Sequence, residues 1–195
     1  MSSIVNVFIN DGNKPTNIPD YKTIITQSFD LRPGQITATN TSGVRIPLDK
    51  KSDTDVSAVW VKFGSDIVMG EAKTQLLVAQ HLERNNVAAV RAPHVYLAFT
   101  WGHFGFIVTE YIDGEICGDS DIPLVAAAVQ DLITIKSLSP TLGQVGGGLI
   151  EHPFFVDRMS SVWYESVEEL QTHINGVSGS PLSRIVPFAP WLLSR

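Results

Sequence analysis

The clearest pattern along the chain begins at Ala58, where Val59, Val61 and Phe63 alternate with Ala58, Trp60 and Lys62. Period two is that of a strand, and it puts Lys62 on the face opposite Val61 and Phe63, at the strand's end. Gly64-Ser65-Asp66 breaks the strand and offers an N-cap. A helix to about Glu83 follows, with Ala72, Leu76 and Ala79 at helical spacing, and Asn85-Asn86 ends it. Val95 to Thr100 and Phe106 to Tyr111 read as paired strands joined by a Trp101–Gly105 turn, and Asp113-Gly114 as a further turn. A second helix is expected from Pro123 to Leu138 with Asp121 as its N-cap. Pro140 and Gly146-Gly147-Gly148 mark a connection. A last helix opens on the capping-box pattern Ser166-Val167-Glu168-Glu169 and ends near Gly176.

Upstream of Ala58 the pattern weakens. Residues 1–57 are polar, with Pro15, Pro19, Pro33 and Pro47 scattered through them, and only Ile24-Ile25 and Ile36–Thr39 hint at strands. This part is expected to be poorly defined, and Lys50–Asp55 to be a solvated loop.

Composition narrows the class. The chain has 195 residues, 44% hydrophobic and 17% charged, which suits a globular protein with a real core. A net charge of −6 gives no general attraction to nucleic acid or to an anionic membrane. There is no spanning apolar run, and the N-terminus has no basic stretch followed by an apolar core, so neither a membrane helix nor a secretory signal is expected. Cys117 is the one cysteine, which fits a reducing, cytoplasmic location and a small packing residue rather than a nucleophile. His81, His94, His103, His152 and His173 show no metal-ligand spacing, so no structural metal is expected. The Gly146–Gly148 run has no Lys-Ser/Thr pair after it and reads as a turn, not a phosphate loop. His152-Pro153 also reads as a turn.

Lys62 is the sharpest chemical candidate. A lysine ending an apolar strand is desolvated unless an anion meets it. Glu71 on the next helix can supply that anion and leave the ammonium aimed at phosphates. A surface lysine at a strand terminus fits the local pattern too.

The run Val59-Trp60-Val61-Lys62-Phe63-Gly64, then Glu71-Ala72, then Phe106–Gly114 resembles the aminoglycoside phosphotransferase family of the protein-kinase-like superfamily. Gly146–Ile150, His152–Phe155 and Ser166–Leu170 extend the likeness, which covers roughly residues 58–175. The resemblance implies an α+β, kinase-like N-terminal lobe over 1–112, with an antiparallel sheet and one helix. A hinge and the first helices of an incomplete C-terminal lobe follow over 113–177, and 178–195 form a divergent apolar tail. It also implies ATP and Mg²⁺ as cofactors, with transfer of phosphate to a small-molecule hydroxyl. Lys62 then meets the α- and β-phosphates and pairs with Glu71. The backbone of Glu110 and Ile112 meets the adenine edge, and Trp60 lies where a small residue usually roofs the base. Whether that indole stacks on the base or fills the pocket stays open at this point.

Two further features qualify this expectation. No G-x-G-x-x-G stands upstream, and the chain has no His-x-Asp sequence; its last aspartate is Asp157. The family's catalytic and metal-holding aspartates are thus missing, as in a chain that stops before its catalytic loop. Such a chain is inactive alone, and a non-catalytic nucleotide- or protein-binding module is the other reading. Helices made to meet a missing lobe leave apolar faces exposed, the 123–138 helix above all, which favours self-association.

Overall fold

A computed structural model describes residues 4–31, 42–52, 55–87, 89–136, 142–155 and 158–177. The chain forms two compact units, Met1–Leu132 and Ile133–Arg195. It is an α+β protein, with a five-stranded antiparallel sheet and four helices among the described residues. None of the described helices is long and apolar enough to cross a membrane.

The sheet lies in the first unit. Its strands are β1 (Val5–Asn10), β2 (Ser42–Pro47), β3 (Ala58–Gly64), β4 (Val95–Trp101) and β5 (Phe104–Glu110), in the spatial order β1-β4-β5-β3-β2. The expected strand at β3 forms with its alternation intact: Val59, Val61 and Phe63 are buried, and Trp60 is exposed. The β4–β5 turn is tighter than the expected five residues, because Trp101 and Phe104 still pair and only Gly102 and His103 lie between them.

The N-terminal region departs most from expectation. Instead of being poorly defined, it supplies both sheet edges, β1 and β2, and a helix, α1 (Tyr21–Leu31). Ile24-Ile25 is helical, not a strand, because Ile24, Ile25 and Ser28 share one buried helix face. The loop before β3 is solvated at Lys50 and Lys51, yet Asp55 is buried, accepting from the Lys51 and Ser52 N–H groups and from the Thr16 hydroxyl. Ile36–Thr39 and Pro33-Gly34 lie outside the described residues.

α1 covers one face of the sheet. There Phe63, Phe99 and Phe106 stack nearly parallel, with centroids 5.8 and 4.9 Å apart, and Phe29 of α1 meets Phe63 and Phe106 edge-on. Such ring pairs add about 0.5–1.5 kcal/mol each beyond their burial. α2 (Met69–Arg84) lies on the other face and packs chiefly on β4. It begins later than Asp66 because Ile67 first buries itself against Gly105, where a Cβ would stand 2.4 Å from the Ile67 carbonyl oxygen. Val68, not Ser65 or Asp66, is therefore the N-cap, without a side-chain cap. The helix ends at the expected asparagines, with Asn85 as C-cap and Asn86 at φ 50°.

After β5 the chain runs through residues 111–118 without regular structure, and Cys117 is exposed there rather than packed. α3 (Ile122–Ile133) follows a short 3-10 turn and stops earlier than expected; Leu138 lies outside the described residues. Asp121 bonds back to the Gly118 N–H, and Ile122, Leu124, Val125, Val129 and Leu132 are all exposed.

In the second unit, α4 (Val167–Val177) starts as the capping pattern predicts: Ser166 Oγ accepts from the Glu169 N–H at 3.2 Å. The Glu169 carboxylate caps the Glu165 N–H. Gly146–Gly148 form a turn with positive φ, and His152 opens another, its carbonyl accepting from Phe155. Tyr164 is buried beside α4, with its hydroxyl 3.0 Å from His173 Nδ1. The tail 178–195 lies outside the described residues.

Candidate functional site

The strand register determines which side chains share the α2 face. Lys62 of β3 stands between Gly43 of β2 and Ile107 of β5, and Trp60 stands between Arg45 and Thr109. Toward α2 this face is closed by a small cluster of Ile67, Ala72, Val95, Ala98 and Ile107. Toward β2 it is an open ledge carrying Lys62, Trp60 and Arg45.

Lys62 and Glu71 meet as the sequence leads one to expect. Lys62 Nζ forms an ion pair and hydrogen bond with Glu71 Oε1, joining the end of β3 to the first turn of α2. Both side chains are about one-third exposed, at 36% and 37%. A pair so open to water contributes under about 1 kcal/mol to stability. It fixes where the ammonium sits, with two N–H donors left for an anion.

Trp60 lies toward β2, against Gly43. A Cβ on Gly43 would stand 2.1 Å from Trp60 Cζ2, so only glycine admits the indole here. The ring is 38% exposed. It forms part of the open ledge. Beside it the Arg45 guanidinium stands over the Tyr111 ring, 4.9 Å from the centroid. Neither Arg45 nor Tyr111 is a candidate from sequence, because their contact depends on strand order.

The two residues expected at the adenine edge behave differently. The Glu110 N–H donates to the His94 carbonyl at 2.9 Å, and its carboxylate is paired with Arg91, turned away from the ledge. Its carbonyl accepts from Thr109 Oγ1 at 3.2 Å. Ile112 is 43% exposed. Of the five residues singled out in the sequence, Lys62 and Glu71 meet, and Trp60 shares the strand face of Lys62. The Glu110 side chain does not join them, and its backbone N–H, expected at the adenine edge, is already donated to His94, so of its backbone only the second lone pair of the carbonyl is left for a ligand.

A second polar group gathers where β1 ends and β4 begins. His94 Nε2 lies 2.6 Å from Asp11 Oδ2, and the His94 ring rests against Tyr96. Burial raises the Asp11 pKa, but the Asn13 N–H, His94 and Lys14 outweigh it and hold Asp11 below its usual value. Burial foremost, then Glu110, raises the Tyr96 phenol. His94, Arg91 and Glu110 border a cavity of about 520 Å³ with Ala79, Leu82, Val87 and Val90; neither Lys62 nor Glu71 lines it. Nothing in the sequence joins Asp11 to His94, 83 positions apart. Among the described residues no three His, Cys, Asp or Glu side chains come together to hold a metal ion.

No protein-family model, curated protein or solved structure matches the chain.

Proposed function

We propose that the chain carries a kinase-like, aminoglycoside phosphotransferase-type nucleotide-binding lobe, and that on its own it binds a nucleoside triphosphate without transferring phosphate. The observation that carries this reading is the Lys62–Glu71 pair, set between the end of a central strand and the first turn of the helix that follows. A carboxylate that orients an ammonium while leaving donors free is suited to phosphate oxygens. The exposed indole of Trp60, two residues back on the same face, offers an aromatic surface for a base.

The lobe departs from the family's plan at the phosphates. β1 and β2 lie on opposite edges with three strands between them, so among the described residues no hairpin of these two strands offers a loop to cover a triphosphate. Phosphate binding then depends on Lys62 rather than on a glycine-rich cradle. Transfer also needs a base for the acceptor hydroxyl and carboxylates for Mg²⁺. No His-x-Asp sequence supplies them. ATP and Mg²⁺ are the ligands the resemblance implies, and the acceptor stays unspecified.

Calorimetric titration of the purified chain with ATP tests this. Lys62→Ala should weaken binding about 10- to 150-fold, the effect of losing a charged hydrogen bond of roughly 1.5–3 kcal/mol. Binding that is absent, or indifferent to the substitution, refutes the nucleotide reading. ATP-dependent phosphorylation of a small hydroxylated substrate by this chain refutes its inactivity.

A further inference from the structure

We infer that Arg45 reads the base at the Trp60 ledge and that the site prefers guanine to adenine; this rests on the nucleotide reading of the same site.

Three rows of side chains cross the sheet on this face. Gly43, Lys62 and Ile107 make the first, and Arg45, Trp60 and Thr109 the second. Pro47 and Ala58 make the third, and Tyr111, one residue past the Val59–Glu110 pairing, continues it. Adjacent rows are about 7 Å apart, two residues along a strand. A triphosphate on Lys62 therefore places a ribose over the first gap and a base on Trp60, with the base's outer edge toward Arg45 and Tyr111.

Arg45 is held at that edge. Its side chain starts on β2 and Tyr111 follows the end of β5, so the two side chains together bridge the width of β3, the guanidinium lying 4.9 Å from the Tyr111 ring centroid. The cation–π contact with Tyr111 engages no oxygen acceptor, so it leaves guanidinium N–H donors for a ligand. Those donors have no salt-bridge acceptor among the described residues.

A planar fork of donors has a definite complement among bases. Guanine presents two acceptors, O6 and N7, on one edge, which a guanidinium meets with two parallel hydrogen bonds. Adenine presents N7 beside the N6 amino group, which is itself a donor and faces the fork unfavourably. The resemblance alone implies ATP, but Arg45 favours GTP.

The test is titration of the full chain with GTP and with ATP in the same buffer. GTP should bind roughly 5- to 150-fold more tightly, the range of one bidentate arginine–guanine contact. Arg45→Gln should weaken GTP and strengthen ATP, turning the preference round, because a carboxamide pairs with the N6 and N7 of adenine. Arg45→Lys keeps the charge and loses the planar fork, so it should reduce the preference without turning it round. It also carries the test if Arg45→Gln does not fold. ATP bound as tightly as GTP, or a preference that survives both substitutions, overturns the assignment while leaving the Lys62 site standing. Failure of both nucleotides to bind, or binding indifferent to Lys62→Ala, removes the site and the base preference together.

Discussion

The two faces of the sheet are built from alternate residues of the same strands and are finished differently. On the α1 face Val59, Val61, Phe63, Phe99, Phe106 and Val108 are almost completely buried in one continuous core. On the α2 face the helix covers β4, while Trp60, Lys62 and Arg45 stay in reach of solvent. A strand with period two can therefore separate stability from chemistry at single-residue resolution. Val61 and Phe63 hold β3 in place, and Lys62 between them lies on the other face, where it meets Glu71.

The largest effect that can test this division is in the closed face. Phe106 is fully buried and stacks on both Phe63 and Phe99. Phe106→Ala should cost about 3–5 kcal/mol, read as a lowered urea midpoint at unchanged slope. Lys62→Ala, one strand away on the open face, should cost under about 1 kcal/mol in the same assay. Equal losses would mean that the ion pair serves the fold rather than a ligand.

Gly43→Ala acts at the border between the faces. The new methyl would overlap Trp60 Cζ2, and the ring, being partly exposed, can swing aside. The expected cost is on the order of 1 kcal/mol, at the low end of overpacking. Displacing the indole should shift tryptophan emission to the red, and that shift should vanish in a Trp60→Phe background. An unchanged spectrum would mean that the notch at Gly43 does not seat the ring.

How much of this was legible depended on range along the chain. The alternation from Val59 to Phe63 is local, and it gave the strand, its two faces and the place of Lys62. Glu71 is nine residues on, within one strand-to-helix connection, and that pairing was legible too. Ile24-Ile25 fits both a strand and a helix, and only the third buried member, Ser28, distinguishes them. The edge position of β1 left no signal, because its Val7 and Phe8 are exposed and do not alternate cleanly. Arg45 with Tyr111, and Asp11 with His94, depend on which strands lie side by side, and no local pattern encodes that.

The smallest effect concerns the rim of the closed face, where residues 48–56 lead into β3. Asp55 is buried there, and its carboxylate accepts from the Lys51 N–H at 3.0 Å, the Ser52 N–H at 2.9 Å and Thr16 Oγ1 at 3.0 Å. Asn17 ties the same loop through the Val56 carbonyl at 2.7 Å. The Lys51 N–H foremost, then Thr16 and Ser52, outweigh the opposing effect of burial and hold Asp55 below the ordinary aspartate value of 3.8. A carboxylate whose folded pKa is depressed binds its proton more readily when unfolded. Its contribution is therefore complete above about pH 4 and fades as pH falls through the folded value. Asp55→Asn should lower Tm at neutral pH, and the gap to the unsubstituted chain should close as the buffer is taken well below pH 4. Because Asp55 serves the closed face, nucleotide affinity at pH 7 should not change with this substitution. A gap that stays constant with pH would place the loss in packing rather than in the carboxylate's hydrogen bonds.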